Sequence, residues 1–128
     1  MHEASLVSAL LARVETTARA HGATVVRQVD VTLGELAGVE PELLLSAWEV
    51  FRQGTICDTA DLVLAREAAR WECPRCGAPP PANGYLRCAA CNLPTRLAAG
   101  GDLVLARLTM EAPDPTPSDH HHQEAPRV

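Results

Sequence analysis

The pattern of apolar positions changes from helical spacing to strict alternation within the first third of the chain. Between residues 4 and 20, apolar side chains recur every three or four residues, at Val7, Leu10, Leu11, Val14 and Ala18. This spacing predicts an amphipathic helix. Residues 24–34 then alternate, which predicts a half-buried strand interrupted at Arg27, with one face formed by Val25, Val29, Val31 and Leu33.

Further elements follow the same two patterns. Pro41 suits the first turn of a second helix, about 41–53, whose inward face is predicted to carry Leu44, Trp48 and Phe51. Strands are predicted at 61–68 and 102–111, the latter with one face formed by Val104, Ala106, Leu108 and Met110.

These elements predict an α+β fold of two helices packed on a three-stranded sheet. Residues 1–70 plus 98–112 would form one domain, and residues 71–97 would be an insert too short for a core of its own. Residues 113–128, rich in Pro, Asp, Ser and His, are predicted to be a disordered tail.

Composition and charge restrict the function. The 128 residues carry a net charge of -5, which argues against a general nucleic-acid or anionic-membrane binder. We find no apolar run that could cross a bilayer and no signal-peptide pattern, so a cytoplasmic location is expected. In a reducing compartment, the five cysteines favour metal binding over disulfides.

Four of these cysteines form two pairs. Cys73 and Cys76 stand in CPRCG, Cys88 and Cys91 stand in CAAC, and eleven residues separate the pairs. Two such knuckles can complete a tetrahedron of thiolates around Zn(II), and a site with four protein ligands leaves no open position for substrate. A structural zinc site is therefore predicted. The spacing also leaves an iron–sulfur centre or a redox dithiol open.

Nucleic-acid binding by this zinc segment is a weaker interpretation. From Arg70 to Arg96 the chain has four arginines and one glutamate, a net charge of +3 that one zinc ion with four thiolates reduces to about +1. Only Trp71 and Tyr85 could stack on bases there. A solvated surface explains this composition equally well.

The first three residues, Met1, His2 and Glu3, suggest a second metal site. The terminal amine, the His2 amide nitrogen and the His2 imidazole can close two chelate rings on one ion, a nitrogen-rich set that suits Ni(II) or Cu(II). Glu3 could add a ligand, an outer hydrogen bond or a favourable charge at the helix start. A histidine at position two can also be incidental.

The remaining cysteine and histidines carry weaker signals. Cys57 has no nearby partner and is predicted to be a buried core side chain. His21 suits a helix end. The tail histidines are either weak metal ligands or a polar tract: His120, His121 and His122.

Taken in order, these pieces resemble the HypA/HybF family of hydrogenase nickel-incorporation proteins. The resemblance rests on the MHE start, the segment VDVTLGELAGVEPELLLSAWEVF, the CPRCG and CAAC knuckles and the closing GDLVLARLTMEA. It covers about residues 1–112. The tail with its three histidines is not part of the family pattern.

The resemblance implies a nickel metallochaperone rather than an enzyme. Nickel would be held at His2 with the amine and backbone of Met1–Glu3, and zinc at Cys73, Cys76, Cys88 and Cys91. The implied partners are a HypB-type GTPase and the [NiFe] hydrogenase large subunit, with urease served in some relatives. We expect no nucleic-acid or membrane partner, and a monomer or weak homodimer. The alternative is a zinc-ribbon adaptor for nucleic acid or a partner protein.

Overall fold

The structure is a computed structural model that describes residues 2–82 and 85–113. The predicted tail therefore lies outside the described residues, apart from Pro113. The elements, in chain order, are α1 (His2–Ala20), β1 (Val25–Gly34), α2 (Pro41–Phe51), β2 (Asp61–Glu67), β3 (Arg70–Glu72), β4 (Arg96–Ala99) and β5 (Leu103–Glu111).

The two predicted helices are confirmed, and they pack against each other. The predicted inward face of α1 is buried, and all five of its apolar side chains are at most 9% exposed. In α2, Leu44 and Trp48 are buried, and the Trp48 indole Nε1–H donates to the Ala60 carbonyl at 3.0 Å. The prediction for Phe51 is wrong, because its side chain is 40% exposed at the last position of the helix.

The three-stranded sheet has the order β2-β1-β5. Strands β1 and β5 run antiparallel, since Thr24 N–H donates to the Glu111 carbonyl at one end and Gly34 N–H to the Asp102 carbonyl at the other. The burial alternation shifts by one residue in each strand, at residues 27–28 of β1 and at residues 106–107 of β5.

This shift corrects two of the predicted strand faces. Val26, not Val25, joins the buried face of β1, because two successive residues at 27–28 are not buried. In β5, Leu105 is buried whereas Val104 is 43% exposed. The prediction from alternating apolar residues fails here because it assumes that the pleat of the strand continues without interruption.

A second, two-stranded sheet joins β3 and β4 as an antiparallel pair, with Trp71 opposite Leu97 and Glu72 opposite Arg96. The sequence pattern did not predict it. The chain divides into two compact units. Of the described residues, unit 1 comprises 2–32, 39–65 and 104–113, and unit 2 comprises 33–38, 66–82 and 85–103.

Within unit 2, the segment 33–38 is hydrogen-bonded to the two chain segments that flank the cysteine knuckles. Glu35 N–H donates to the Glu67 carbonyl, and Leu36 N–H donates to the Gly100 carbonyl, both at 2.8 Å. The Glu35 carboxylate accepts the Ala69 N–H at 2.8 Å. These bonds hold three separate stretches of backbone together beside β3 and β4.

Candidate metal centre

The four paired cysteines meet at one point of unit 2. The Sγ atoms of Cys73, Cys76, Cys88 and Cys91 all lie within 4.8 Å of one another. The Sγ atoms of Cys76 and Cys88 are 3.6 Å apart. A tetrahedral zinc site with Zn–S bonds of about 2.3 Å has S–S edges of about 3.8 Å. The donor atoms and their spacing therefore fit Zn(II).

Both knuckles are built by the same backbone turn. Cys73 N–H donates to the Ala78 carbonyl at 2.9 Å, and Cys88 N–H donates to the Leu93 carbonyl at 2.8 Å, in each case five residues ahead. The turn passes through left-handed backbone at Gly77 in the first knuckle, with a φ of 77°. The second knuckle uses Asn92 there, with a φ of 55°.

Backbone amides also point at the sulfurs. Arg75 N–H donates to Cys73 Sγ at 3.4 Å, and Cys91 N–H donates to Cys88 Sγ at 3.3 Å. Such bonds favour the charged thiolate over the thiol. In each pair the first cysteine is buried, whereas Cys76 is exposed and Cys91 is intermediate. The buried sulfurs are thus supplied with amide donors in place of water.

The thiols of the cluster differ in acidity. The backbone amide of Cys76 lowers the pKa of Cys73 to about 6, with help from the Arg75 amide. Burial and the neighbouring sulfurs raise the pKa of Cys91. Four thiolates this close together repel one another, so a cation is needed to ionise all of them, and metal binding releases protons.

At the other candidate site, α1 begins at His2, and Met1 lies outside the described residues. Glu3 is buried, at 9% exposure, and its Oε2 accepts the Glu40 N–H at 3.1 Å. The sequence offered three roles for Glu3, and this hydrogen bond to the Glu40 backbone is none of them, so those roles stay predictions. The sequence alone did not indicate this hydrogen bond, because it forms only where the folded chain brings the start of α1 beside the start of α2.

The remaining candidates have structural explanations where they are described. Cys57 is fully buried, and burial raises its pKa to about 12. The His21 ring Nδ1 lies 2.9 Å from the Thr17 carbonyl oxygen, at the end of α1. The three tail histidines, at 120–122, lie outside the described residues. Within residues 2–82 and 85–113, no helix is both long and apolar enough to span a membrane.

A four-thiolate metal module joined to a two-helix, three-stranded α+β fold defines a small metal-binding protein. The family described as "Hydrogenase/urease nickel incorporation, metallochaperone, hypA" matches residues 1–110. The chain belongs to this family, as its sequence resemblance predicted.

Individual relatives agree with this assignment. The chain is 40% identical over 117 residues to the hydrogenase maturation factor HypA of Wolinella succinogenes, covering 89% of this chain and 98% of that protein. It is 36% identical over 113 residues to HypA of Aquifex aeolicus, covering 87% and 98%. The solution structure of the Ni metallochaperone HypA from Helicobacter pylori matches with a TM-score of 0.70 at 31% identity, covering 87% and 98%.

Family membership confirms the predicted α+β fold and the predicted class. Members are nickel-incorporation metallochaperones of hydrogenase maturation, not enzymes. The four-cysteine site agrees with the prediction of a metal-binding protein.

Proposed function

We propose that this protein binds Ni(II) at its N-terminus and helps to insert it into the [NiFe] hydrogenase large subunit. Zn(II) at Cys73, Cys76, Cys88 and Cys91 would have a structural role. The observation that carries the nickel proposal is that α1 begins at His2. Membership in a nickel-incorporation family supports it.

The start of a helix suits this kind of chelation. A helix provides no intrahelical carbonyl for its first four N–H groups, so the His2 amide nitrogen can bind a metal without breaking a bond of the helix ladder. The ligand that results is a negatively charged nitrogen, and negative charge is favoured at a helix N-terminus. The terminal amine and the imidazole would complete a nitrogen-rich set that suits Ni(II).

Release follows from the same chemistry. Protons compete with the metal for the amine, the amide and the imidazole, so affinity should fall steeply as the pH decreases. A carrier needs this property, because it must give the ion up. We propose that acidification or the docking of a partner releases nickel. The expected partners are a HypB-type GTPase and the hydrogenase large subunit.

Nickel titration of untagged, zinc-loaded protein tests the proposed cargo site. His2→Ala should weaken nickel binding at least a hundredfold, and an N-terminal extension before Met1 should do the same. His21→Ala is the matched control, because His21 is an exposed histidine at the opposite end of α1. Equal nickel affinity in His2→Ala and His21→Ala would disprove the site. A nucleic-acid adaptor, by contrast, would be indifferent to a blocked N-terminus.

The structural zinc is tested separately. Cys88→Ser should lower the zinc content and expose the backbone amides of unit 2 to hydrogen exchange, whereas Cys57→Ser should retain one zinc per chain. The predicted insert, residues 71–97, is too short to form a sufficient apolar core by itself. If the backbone amides of unit 2 stayed protected from hydrogen exchange after zinc removal, zinc would not be what stabilises unit 2.

A further inference from the structure

The buried carboxylate of Glu3 joins the first turns of two helices. Glu3 lies in the first turn of α1, and its Oε2 accepts the backbone N–H of Glu40, which occupies the N-cap position of α2. The two residues are 37 positions apart in the chain. Among the polar and charged residues that the structure describes, Glu3 is the one that is buried, at 9% exposure.

Helix α2 lacks the local group that usually makes this bond. In a capping box, a Glu or Gln at the third helical position reaches back to the N–H of the capping residue. Here α2 starts at Pro41, so the third position is Leu43, which has no acceptor. The Glu40 side chain makes no capping hydrogen bond either. Glu3 therefore supplies from α1 the acceptor that α2 does not contain.

We propose that Glu3 is a positioning residue of the nickel site: its carboxylate fastens the metal-carrying terminus to the start of α2 and is not itself a nickel ligand. This inference rests on the proposed nickel site. One peptide bond separates Glu3 from His2, so fixing Glu3 limits the conformations of the chelating residues. Ordering one additional residue on metal binding costs about tenfold in affinity.

Two variants distinguish positioning by the Glu3 carboxylate from direct ligation of nickel by it. Glu3→Gln keeps the length of the side chain and an oxygen that can accept the Glu40 N–H, but its amide is a poor nickel ligand. We expect it to bind nickel within about threefold of wild type, and Glu3→Ala to bind about tenfold more weakly. The visible absorption band of bound nickel should be the same in all of them, because the ligands do not change. If Gln lost as much affinity as Ala, the carboxylate would be a ligand and the proposal would be wrong.

A rescue variant distinguishes fastening of the terminus from general support of α2. Leu43 is 49% exposed, so Leu43→Glu can complete a capping box within α2. In Glu3→Ala/Leu43→Glu we expect thermal stability to recover while nickel affinity stays about tenfold reduced. Recovery of both would overturn the proposal. If His2→Ala binds nickel like wild type, the nickel site itself fails, which is a separate result.

Discussion

Gly77 and Asn92 occupy equivalent places in the two cysteine knuckles. Each lies four residues after the first cysteine of its pair, and each donates its N–H to the carbonyl of that cysteine at 2.9 Å. Both have left-handed backbone, with φ of 77° and 55°. Glycine adopts this conformation at little cost and asparagine is among the few other residues that tolerate it. The metal module is therefore two copies of one turn.

Gly77→Ala should weaken zinc binding. A Cβ at position 77 would meet nothing within 4 Å, so the cost is the backbone conformation alone. That cost is about 1 kcal/mol, or about fivefold in zinc affinity. Asn92→Gly should bind zinc at least as tightly as wild type. Competition with a chromophoric chelator would measure both.

A control for this pair lies in the other unit. Gly22 also has a positive φ, of 70°, and open space at its Cβ. Gly22→Ala should lower the free energy of unfolding by a similar amount and leave zinc affinity unchanged. If Gly77→Ala bound zinc as tightly as wild type, the turn geometry would not limit metal binding.

A second prediction concerns the backbone crossing at Gly34. A Cβ there would lie 2.4 Å from the carbonyl carbon and oxygen of Gly100 and 2.9 Å from the Asp102 nitrogen. Backbone atoms cannot move aside cheaply, so Gly34→Ala should cost about 3 kcal/mol or more, as overpacking does at its upper range. Urea denaturation of the zinc-loaded protein checks this.

Gly38→Ala is the matched control for Gly34→Ala. Gly38 belongs to the same segment, has a φ of 72° and has open space around its Cβ. We expect a loss of about 1 kcal/mol from the backbone conformation. Equal losses in the two variants would show that the crossing can relax and that the close approach is unimportant.

The sequence predicted those features that depend on spacing along the chain. The cysteine pairs and the inward face of α1 are of this kind, because neighbours on a turn or a helix face are fixed by local geometry. It missed β3 and β4, which are only three and four residues long. It also missed the phase shift in β1 and the Glu3–Glu40 bond. These depend on strand partners and on residues far apart in sequence, so no local pattern encodes them.

The buried indole of Trp48 supports a third prediction. Its side chain is 1% exposed, and its Nε1–H donates to the Ala60 carbonyl at 3.0 Å. Trp48→Phe removes the indole N–H donor and leaves the Ala60 carbonyl without this hydrogen bond. The free energy of unfolding should fall by about 2 kcal/mol. The half-buried Trp71 in β3 is the control, since Trp71→Phe should cost less than half as much. Equal changes in the urea midpoint would contradict the role of this hydrogen bond.

The fully buried thiol of Cys57 predicts a specific loss of stability in alkali. Burial, and after it the charge of Glu15, raises the pKa of Cys57 to about 12, whereas the pKa of an unfolded cysteine is about 8.5. Below that value both states keep the proton, so the group does not affect the pH dependence. Between about 8.5 and 12 only the unfolded chain loses its proton, so stability should fall by about 1.4 kcal/mol for each pH unit.

Cys57→Ala removes the thiol, so the free energy of unfolding of the variant should lack this part of the pH dependence. We would measure the free energy of unfolding of zinc-loaded wild type and Cys57→Ala between pH 7.5 and 10.5. The variant should start less stable, because it leaves a small cavity. The difference between the two proteins should then shrink as the pH rises above about 9, because only the wild type has a buried thiol whose proton the unfolded chain gives up. Parallel pH curves would mean that the Cys57 thiol ionises equally easily in both states, contrary to its burial.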